Sequence, residues 1–365
     1  MNEFSKLGLK KEIILSLARL KYIETTEVQD EIIPLAMQGK NIVFTAMTGS
    51  GKTLAYSVGF LSKINKKLGP QMLVVVPTRE LCLQVTRELK KITEPLGLNV
   101  GKFYGGHDMK LDRRTLQTRN QIIVATPGRL IVYVNEKKVK LGEVKLIVYD
   151  ESDQLFDNGF YDDCAYLKTR VNKHCQVILS SATISDKVKI FIEKEIVDFE
   201  FLKIGMQIPK NIVQEKVMCN ISKKDEFLLN FLNKKEFSKV LIFCNRKVRT
   251  YTISEFLRKK GFTSFAMNSD LEQKERESHL KIFKKGNVIL VATDVAARGL
   301  HIEEVDMVIN YDVPNRAEYY IHRIGRTGRR DSKGYSLTLV CPEDKERFDD
   351  IEFTYNLEMK EIKND

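Results

Sequence analysis

The sequence predicts an α/β protein made of two tandem domains, each a parallel β-sheet with helices on both faces. Its 365 residues suit two domains of ordinary size better than one. Short, continuous apolar runs recur along the chain, and a run such as Ile122-Ile123-Val124 fits a strand that is buried on both faces. Helical patterns separate the runs, so strands and helices alternate as they do around a parallel sheet.

The apolar runs fall into two sets, one in each half of the chain. In the first half the predicted strands are Asn41–Ala46, Met72–Pro77, Ile122–Pro127, Leu146–Glu151 and Gln176–Thr183. In the second half the predicted strands are Lys239–Asn245, Thr263–Asn268, Asn287–Asp294, Met307–Asp312 and Tyr335–Val340.

The predicted linker is the stretch from Lys203 to Val213, which contains one Gly and one Pro and breaks the alternation. We therefore expect an N-terminal domain over residues 1–207 and a C-terminal domain over residues 208–365. The charged stretch from Glu343 to Asp365 is expected to form a helix that closes the second domain.

Composition limits the class of protein. Apolar residues make up 43% of the chain, enough for a core in each domain, and the net charge is +11 with a pI near 9.1. This excess favours a polyanionic partner, although solvated lysines explain the charge equally well. No apolar run approaches the roughly 18 residues that span a bilayer, and the charged N-terminus is unlike a signal peptide. We expect a cytoplasmic protein, nuclear if its host has a nucleus, with no membrane partner.

The cysteines are scattered, and none belongs to a C-x-x-C pair. Two of the six, Cys244 and Cys341, lie in or beside apolar runs. We therefore expect free, buried thiols in a reducing compartment rather than disulfides or a structural zinc site.

A Gly-rich loop joins the first predicted strand to a helical pattern. The loop residues are Ala46, Met47, Thr48, Gly49, Ser50, Gly51, Lys52 and Thr53. Glycines allow backbone N–H groups to turn toward an anion, and the helix N-terminus adds partial positive charge. Lys52 would reach the β- and γ-phosphates of a nucleotide, and the Thr53 hydroxyl would bind Mg²⁺. The alternative is an ordinary Gly-rich turn before a helix.

An acidic pair, Asp150-Glu151, ends the predicted strand that begins at Leu146. Such a carboxylate at the tip of a nearby strand would help to hold Mg²⁺, and Glu151 would polarise the attacking water. An acidic pair at a strand end is common by itself, so it indicates a nucleotide site only in combination with the phosphate loop. Together the two motifs predict ATP and Mg²⁺ as cofactors.

The tetrad Asp150-Glu151-Ser152-Asp153 resembles that of the DEAD-box RNA helicases of helicase superfamily 2, and the likeness runs from Phe4 to beyond Arg329. It implies two RecA-like domains. It also implies an ATPase that couples ATP binding and hydrolysis to RNA strand binding, local duplex unwinding and ribonucleoprotein remodelling. The implied partner is RNA, as a single strand or short duplex, contacted mostly through its backbone by a monomer. A protein partner for targeting stays open.

The resemblance also implies roles for residues of the family's motifs. Tyr22 would stack on adenine, and Gln29 would read the edge of the base. The implied RNA contacts are Pro77, Arg79, Gly106, Thr126, Gly128, Arg129, Arg276 and Thr293. The residues implied to couple ATP to domain closure are Ser181, Thr183, His322 and Arg323. Arg326 and Arg329 would meet the γ-phosphate as arginine fingers.

Three positions depart from the family pattern. Ser152 replaces the Ala of the tetrad, and Thr25 stands where the family usually has Pro. His301 replaces an Asp implied to touch the ribose, and a His does not accept hydrogen bonds as a carboxylate does. We expect His301 to weaken ATP affinity or alter coupling. The His301→Asp variant tests this.

Two rival functions use the same motifs. The first is an ATP-gated clamp that pins RNA without unwinding it, and the second is a DNA-directed motor of the same superfamily. RNA-stimulated turnover with duplex separation distinguishes the enzyme from the clamp. Competition between RNA and DNA strands addresses the second rival.

Overall fold

The computed structural model describes residues 2–46, 49–204, 211–297, 305–328 and 333–362. The chain divides into two compact units, Met1–Met206 and Gln207–Asp365. Each unit contains a seven-stranded sheet whose neighbouring strands are parallel, with helices flanking it. The predicted fold class, two tandem RecA-like doubly wound domains, is therefore confirmed.

The first unit is built on strands β1 to β7, in the spatial order β3-β4-β2-β5-β6-β1-β7. These strands are β1 Asn41–Thr45, β2 Met72–Val75, β3 Val100–Phe103, β4 Ile122–Ala125, β5 Leu146–Tyr149, β6 Gln176–Ser181 and β7 Phe199–Lys203. The helices are α1 Lys11–Arg19, α2 Glu27–Gln38, α3 Lys52–Leu61, α4 Arg79–Thr93, α5 Arg113–Gln117, α6 Pro127–Asn135, α7 Ser152–Asp157, α8 Tyr161–Arg170 and α9 Asp186–Glu195.

The second unit repeats this plan with strands β8 to β14, in the order β10-β11-β9-β12-β13-β8-β14. These strands are β8 Ile212–Met218, β9 Lys239–Phe243, β10 Ser264–Met267, β11 Val288–Ala292, β12 Met307–Asn310, β13 Gly334–Val340 and β14 Lys360–Glu361. The helices are α10 Lys224–Asn233, α11 Lys247–Lys259, α12 Gln273–Phe283, α13 Asp294–Ala297, α14 Ala317–Ile324 and α15 Lys345–Tyr355.

Each sheet separates two hydrophobic clusters, because successive side chains of a strand point to opposite faces. In β1, Ile42 and Phe44 pack in one cluster, whereas Val43 packs in the other. The second unit is divided in the same way, with Val240 and Leu241 of β9 on opposite sides. This burial on both faces explains the continuous apolar runs in the sequence.

All ten strands predicted from apolar runs are present, within a few residues of the expected ends. Four further strands, β3, β7, β8 and β14, were not predicted. Three of them form sheet edges, and β8 lies next to an edge. Their residues are more polar or more exposed than those of central strands, as in the largely exposed β7. Parts of the predicted linker therefore belong to β7 and β8, and residues 205–210 lie outside the described ranges.

The prediction of a helix from Glu343 to Asp365 is only partly right. Helix α15 ends at Tyr355, because Asn356 adopts the left-handed conformation with φ of 48°. The chain then extends into β14, whose Lys360 and Glu361 pair with β8. Within the described residues, no helix has the length and apolar character needed to cross a bilayer.

Candidate active site

The loop after β1 has the backbone of an anion cradle. The Ala46 N–H donates to the carbonyl of Ser181 on β6 at 3.1 Å. Gly49 and Gly51 then take positive φ values of 84° and 87°, and α3 begins at Lys52. Left-handed glycines let successive N–H groups turn inward at a helix N-terminus, where the helix dipole favours an anion. Met47 and Thr48 lie outside the described residues.

Lys52 is held back inside this loop. Its side chain is buried, and its Nζ donates to the Ala46 carbonyl at 3.1 Å. A buried ammonium group is costly unless an anion or several acceptors surround it. The position therefore suits a cation that binds a phosphate held by the same loop.

The start of α2 is hydrogen-bonded to the loop. Thr26 and Gln29 form a capping box at the N-terminus of α2, with the Thr26 N–H donating to Gln29 Oε1 at 3.0 Å. The Thr26 hydroxyl donates to the Ser50 carbonyl at 2.8 Å, and Gln29 Nε2 donates to the Gly51 carbonyl at 3.2 Å. The two side chains therefore fix the loop's carbonyls on its outer side.

Gln29 keeps hydrogen-bonding capacity that the described residues do not use. An amide offers two N–H donors and two acceptor positions, and the loop and the cap use one of each. Tyr22 is 39% exposed, so its ring is available for stacking rather than part of the core. Thr25, at the position where Pro was expected, is buried, and its hydroxyl donates to the Asn2 carbonyl at 2.8 Å.

Asp150 follows β5 and is nearly inaccessible, at 3% exposure. Its Oδ1 accepts hydrogen bonds from the Ser180 hydroxyl at 2.5 Å and from the Glu151 N–H at 3.1 Å. Its Oδ2 accepts one from the Tyr56 hydroxyl on α3 at 3.1 Å. Burial, and then the Asp150 carboxylate, raise the pKa of Tyr56 well above its usual value, so the phenol remains a donor.

Glu151 adopts the left-handed conformation, with φ of 53° and ψ of 51°. A non-glycine residue in this region carries strain, which often marks a functional position. Its Oε2 accepts a hydrogen bond from Gln154 Nε2 at 2.6 Å, and that amide is itself buried. The carboxylate is thus oriented by a neutral donor.

The end of β6 is tied to the acidic tetrad. The Asp153 N–H donates to Ser181 Oγ at 3.2 Å, and the Ser181 hydroxyl donates to the Thr183 carbonyl at 2.7 Å. The Thr183 hydroxyl donates to Asp153 Oδ2 at 3.2 Å. Ser152 is fully buried, and its hydroxyl has no hydrogen-bond partner among the described residues.

The order of strands divides the carboxyl edge of the first sheet. The phosphate loop, the acidic pair and the coupling residues of this unit follow β1, β5 and β6, which are neighbours. The predicted RNA contacts of this domain follow β2, β3 and β4, which are also neighbours. Ligands bind at this edge in open α/β sheets, and the two predicted sites therefore occupy adjoining parts of one edge.

The RNA-contact candidates of the first unit differ in exposure. Pro77 and Thr126 are buried, whereas Gly106 and Gly128 are exposed, and Gly106 has a φ of 83°. The Arg79 guanidinium carbon lies 5.1 Å from the ring centroid of Tyr104, a cation–π contact that fixes its direction.

Arg129 belongs to a buried polar cluster rather than projecting into solvent. Its Nη1 donates to Asp112 Oδ2 at 3.2 Å, and its Nη2 donates to the carbonyl of His107 at 2.7 Å. The Tyr133 hydroxyl donates to Asp112 Oδ2 at 2.8 Å, and the His107 ring contacts Asp112 Oδ1 at 3.0 Å. The cluster anchors the segment that follows the Gly105-Gly106 turn.

In the second unit the predicted residues follow β10, β11 and α14. Arg276 lies on α12, and its Nη2 donates to the Ala296 carbonyl at 3.5 Å. Thr293 directly precedes α13, and its hydroxyl accepts a hydrogen bond from the Ala296 N–H at 3.4 Å. His322 lies on α14, and Arg326 follows that helix. His301 and Arg329 lie outside the described residues.

Arg323 is 1% exposed, and five hydrogen bonds engage its guanidinium. Nε and Nη2 donate to the two carboxylate oxygens of Asp294 at 2.6 and 2.7 Å. The remaining acceptors are the Asp312 carbonyl at 2.7 Å, Asn245 Oδ1 at 2.9 Å and Asn310 Oδ1 at 3.4 Å. A guanidinium has five N–H donors, so its donor capacity is fully used within this unit.

The six cysteines are free, five of them buried and Cys175 half-buried. Burial raises the pKa of the Cys82 and Cys175 thiols to about 12. Thiols with such high pKa values are poor nucleophiles at neutral pH, so neither Cys82 nor Cys175 is a candidate for covalent chemistry.

Several residues of the site were not predicted from the sequence. Tyr56 and Ser180 contact Asp150, Gln154 contacts Glu151, and Asp112 holds Arg129. Ser180 directly precedes the predicted coupling residue Ser181, which is the one sequence signal for it. The others act through positions in space that no short motif encodes.

Comparison with known proteins agrees with this geometry. The family described as DEAD/DEAH box helicase matches residues 26–191, and the helicase conserved C-terminal domain matches residues 223–331. DEAD-box ATP-dependent RNA helicase CshA of Geobacillus kaustophilus is 37% identical over 368 residues, covering 100% of this chain and 79% of the relative. ATP-dependent RNA helicase CshA of Listeria monocytogenes is 36% identical, covering 94% of this chain and 67% of the relative.

Solved structures give the same result. S. cerevisiae Dbp5 bound to RNA and ADP BeF3 has a TM-score of 0.89 at 27% identity, covering 100% of this chain and 96% of that one. A DEAD box protein from Methanococcus jannaschii has a TM-score of 0.58 at 33% identity and covers 99% of both chains. The chain therefore belongs to the DEAD-box family of helicase superfamily 2 and is an ATP-dependent RNA helicase.

Proposed function

We propose that the loop before α3 holds the phosphates of ATP, with Lys52 as their ammonium ligand and the acids after β5 beside them. The hydrogen bond from Tyr56 to Asp150 carries this proposal, because it ties the helix that begins at Lys52 to the strand that ends in the acids. Gln29 and Tyr22 would recognise the adenine. Gln29 is hydrogen-bonded to this loop and has a further donor and acceptor position, and the ring of Tyr22 is exposed.

The donor set suits Mg²⁺, which prefers oxygen ligands. Thr53 and Asp150 would hold it, and when bound it would neutralise charge on the phosphates. Among the described residues, no group of three or more His, Cys, Asp or Glu side chains could hold a metal. Mg²⁺ in this site would therefore depend on the nucleotide for several of its ligands, which is its usual mode at phosphates.

Glu151 would accept the proton of the attacking water as general base, with Gln154 orienting its carboxylate. Arg326 and Arg329 of the second domain would stabilise charge on the γ-phosphate, a contribution of about 10³–10⁵ in rate for such residues. His301 would lie near the ribose. These roles follow from the positions of the residues in the family's motifs.

RNA would bind along the carboxyl edge that carries Arg79, Gly106 and Thr126, and at Arg276 and Thr293 of the second domain. Pro77, Gly128 and Arg129 complete the proposed set. Backbone amides and arginines contact sugar and phosphate rather than bases, so binding would depend little on sequence. Contacts to 2′-hydroxyls would favour RNA over DNA.

ATP and RNA would each bind both domains and so favour the same closed arrangement, which makes their binding reciprocal. Ser181, Thr183, His322 and Arg323 would couple the two. We infer a monomer that acts in the cytoplasm. A protein partner for targeting is in keeping with S. cerevisiae Dbp5, which is described in complexes with Gle1 and Nup159.

The test is the Glu151→Gln variant, with Glu193→Gln on the exposed side of α9 as the matched control. Loss of a general base lowers turnover by about 10²–10⁴. We expect this loss in RNA-stimulated ATPase assays, together with retained or tighter RNA binding in ATP. Full turnover in Glu151→Gln would contradict the proposed role.

The same assays separate the helicase from its rivals. Multiple turnovers with separation of a short RNA duplex identify the unwinding enzyme. A long-lived complex with ATP and RNA, without duplex separation, identifies a clamp. Preferential binding of DNA strands in competition would instead indicate a DNA-directed motor.

A further inference from the structure

Asp150 is held from two directions by side chains that lie outside the tetrad. Ser180, on the neighbouring strand β6, donates to Oδ1, and Tyr56, one turn into α3, donates to Oδ2. Ser180 and Tyr56 are both 0% exposed, and Asp150 is 3% exposed. The two hydrogen bonds therefore act in a buried environment, where they are stronger than at a surface.

Tyr56 lies on the same helix as Thr53, the second residue of the proposed metal site. Thr53 and Tyr56 are one helical turn apart on α3, which brings their side chains to the same face. The phenol that donates to Asp150 therefore shares a face of α3 with the Thr53 side chain.

The hydrogen bonds at Asp150 leave room for one more ligand. A carboxylate has about four lone-pair positions. The Ser180 hydroxyl, the Glu151 N–H and the Tyr56 hydroxyl occupy three of them. With three positions fixed, the carboxylate has one defined direction left for a metal ion or its bound water.

We propose that Tyr56 and Ser180 are positioning residues for Mg²⁺, which hold Asp150 in the orientation that binds the metal–nucleotide complex. This inference rests on the proposed role of Asp150 and Thr53. Groups that orient metal ligands typically contribute 10–100-fold to metal affinity, because a free carboxylate must be ordered when the metal binds. The two residues affect Mg²⁺ without touching it.

The experiment uses the full chain and a fluorescent ADP analogue, titrated with MgCl₂ and also measured in EDTA. We expect Tyr56→Phe and Ser180→Ala to raise the half-saturating Mg²⁺ concentration about 10–100-fold. Their affinity for the analogue in EDTA should stay within about twofold of the parent, because the phosphate loop is intact. Thermal unfolding without nucleotide reports any general loss of stability.

The matched controls each lose one buried hydroxyl that donates to a backbone carbonyl and not to Asp150. The Tyr149 hydroxyl donates to the Cys164 carbonyl at 3.0 Å, and the Ser16 hydroxyl donates to the Ile92 carbonyl at 2.8 Å. Tyr149→Phe and Ser16→Ala should lower stability without shifting the Mg²⁺ titration. A purely structural role for Tyr56 or Ser180 would make their variants behave like these controls.

Asp150→Asn distinguishes the metal-binding role of Asp150 from the positioning role of Tyr56 and Ser180. If the parent and Asp150→Asn respond equally to Mg²⁺, the proposed metal role of Asp150 is wrong. If Asp150→Asn loses the response but Tyr56→Phe and Ser180→Ala keep the parental midpoint, the positioning role is wrong and the metal role stands. Should Tyr56→Phe fail to fold, Ser180→Ala carries the test alone.

Discussion

The Gln29 side chain and Gly51 fit each other closely. Gln29 Nε2 donates to the Gly51 carbonyl at 3.2 Å, and a Cβ built on Gly51 would lie 2.3 Å from that same nitrogen. The helix that carries the proposed adenine contact therefore also fixes the phosphate loop. The absence of a side chain at position 51 is what permits the contact.

We expect Gly51→Ala to lower ATP affinity at least tenfold. The alanine must adopt a φ of 87°, which costs about 1–2 kcal/mol, and its methyl group collides with Gln29. Gly159→Ala is the matched control, since Gly159 has a φ of 84° but no atom near its Cβ position. Nucleotide titration and thermal unfolding measure both effects. Equal nucleotide affinity in the two variants would show that the collision is harmless.

Ser152→Ala should keep or raise the free energy of unfolding. Its hydroxyl is buried with no partner among the described residues, so removal ends a desolvation cost of about 1–3 kcal/mol. Ser181→Ala is the comparison, because the Ser181 hydroxyl both donates and accepts and its loss should destabilise. Chemical denaturation of the two variants shows whether each substitution raises or lowers the free energy of unfolding. A marked loss of stability in Ser152→Ala would point to a partner such as bound water.

Asp112→Asn tests how Arg129 serves RNA binding, because two roles predict opposite signs. If Arg129 acts by its charge on RNA, loss of the Asp112 charge should tighten binding. If the cluster with His107 and Tyr133 holds the Gly105-Gly106 turn in place, the variant should weaken binding. We expect weakening of severalfold in equilibrium RNA titrations at constant salt. Tighter binding would favour the charge role.

Arg323→Lys should destabilise the second unit, because each buried acceptor that loses its N–H donor costs about 1–3 kcal/mol. A lysine has one charged centre and does not reproduce the two-pronged contact with Asp294. Arg347→Lys is the control, since Arg347 is exposed and pairs with Asp344 at the surface. Denaturant unfolding, followed through the transition of the second unit, measures the stability of both variants. Equal stability in the two variants would contradict the expected contribution of Arg323 to the stability of the second unit.

The central strands were predictable because burial on both faces leaves a direct trace in the sequence. The missed strand β8 has three consecutive, partly buried polar residues, Gln214, Glu215 and Lys216. Its pairing partner β13 lies far along the chain. Its identity as a strand depends on that partner and on β14. Local patterns do not record such contacts, so the sequence predicts a linker as far as Val213 and no strand over the rest of β8.

The candidate site also contains residues that the sequence predicts and residues that it does not. The phosphate loop and Asp150-Glu151 were predictable because phosphate binding requires a fixed local spacing of Gly, Lys and Thr. Tyr56 and Ser180 were not, because each looks like an ordinary helix or strand residue until β5, β6 and α3 are brought together. Residues that orient others are defined by proximity, and a single sequence does not contain it.

The five hydrogen bonds of Arg323 constrain how this domain can be recombined. Its acceptors Asn245, Asp294, Asn310 and Asp312 are spread over a long stretch of chain that ends at Arg323 itself. A chimera with a relative, joined anywhere between residues 245 and 323, draws donor and acceptors from different parents. Such a hybrid stays folded only where both parents supply compatible partners, so crossover points outside this stretch are the safer choice for engineering.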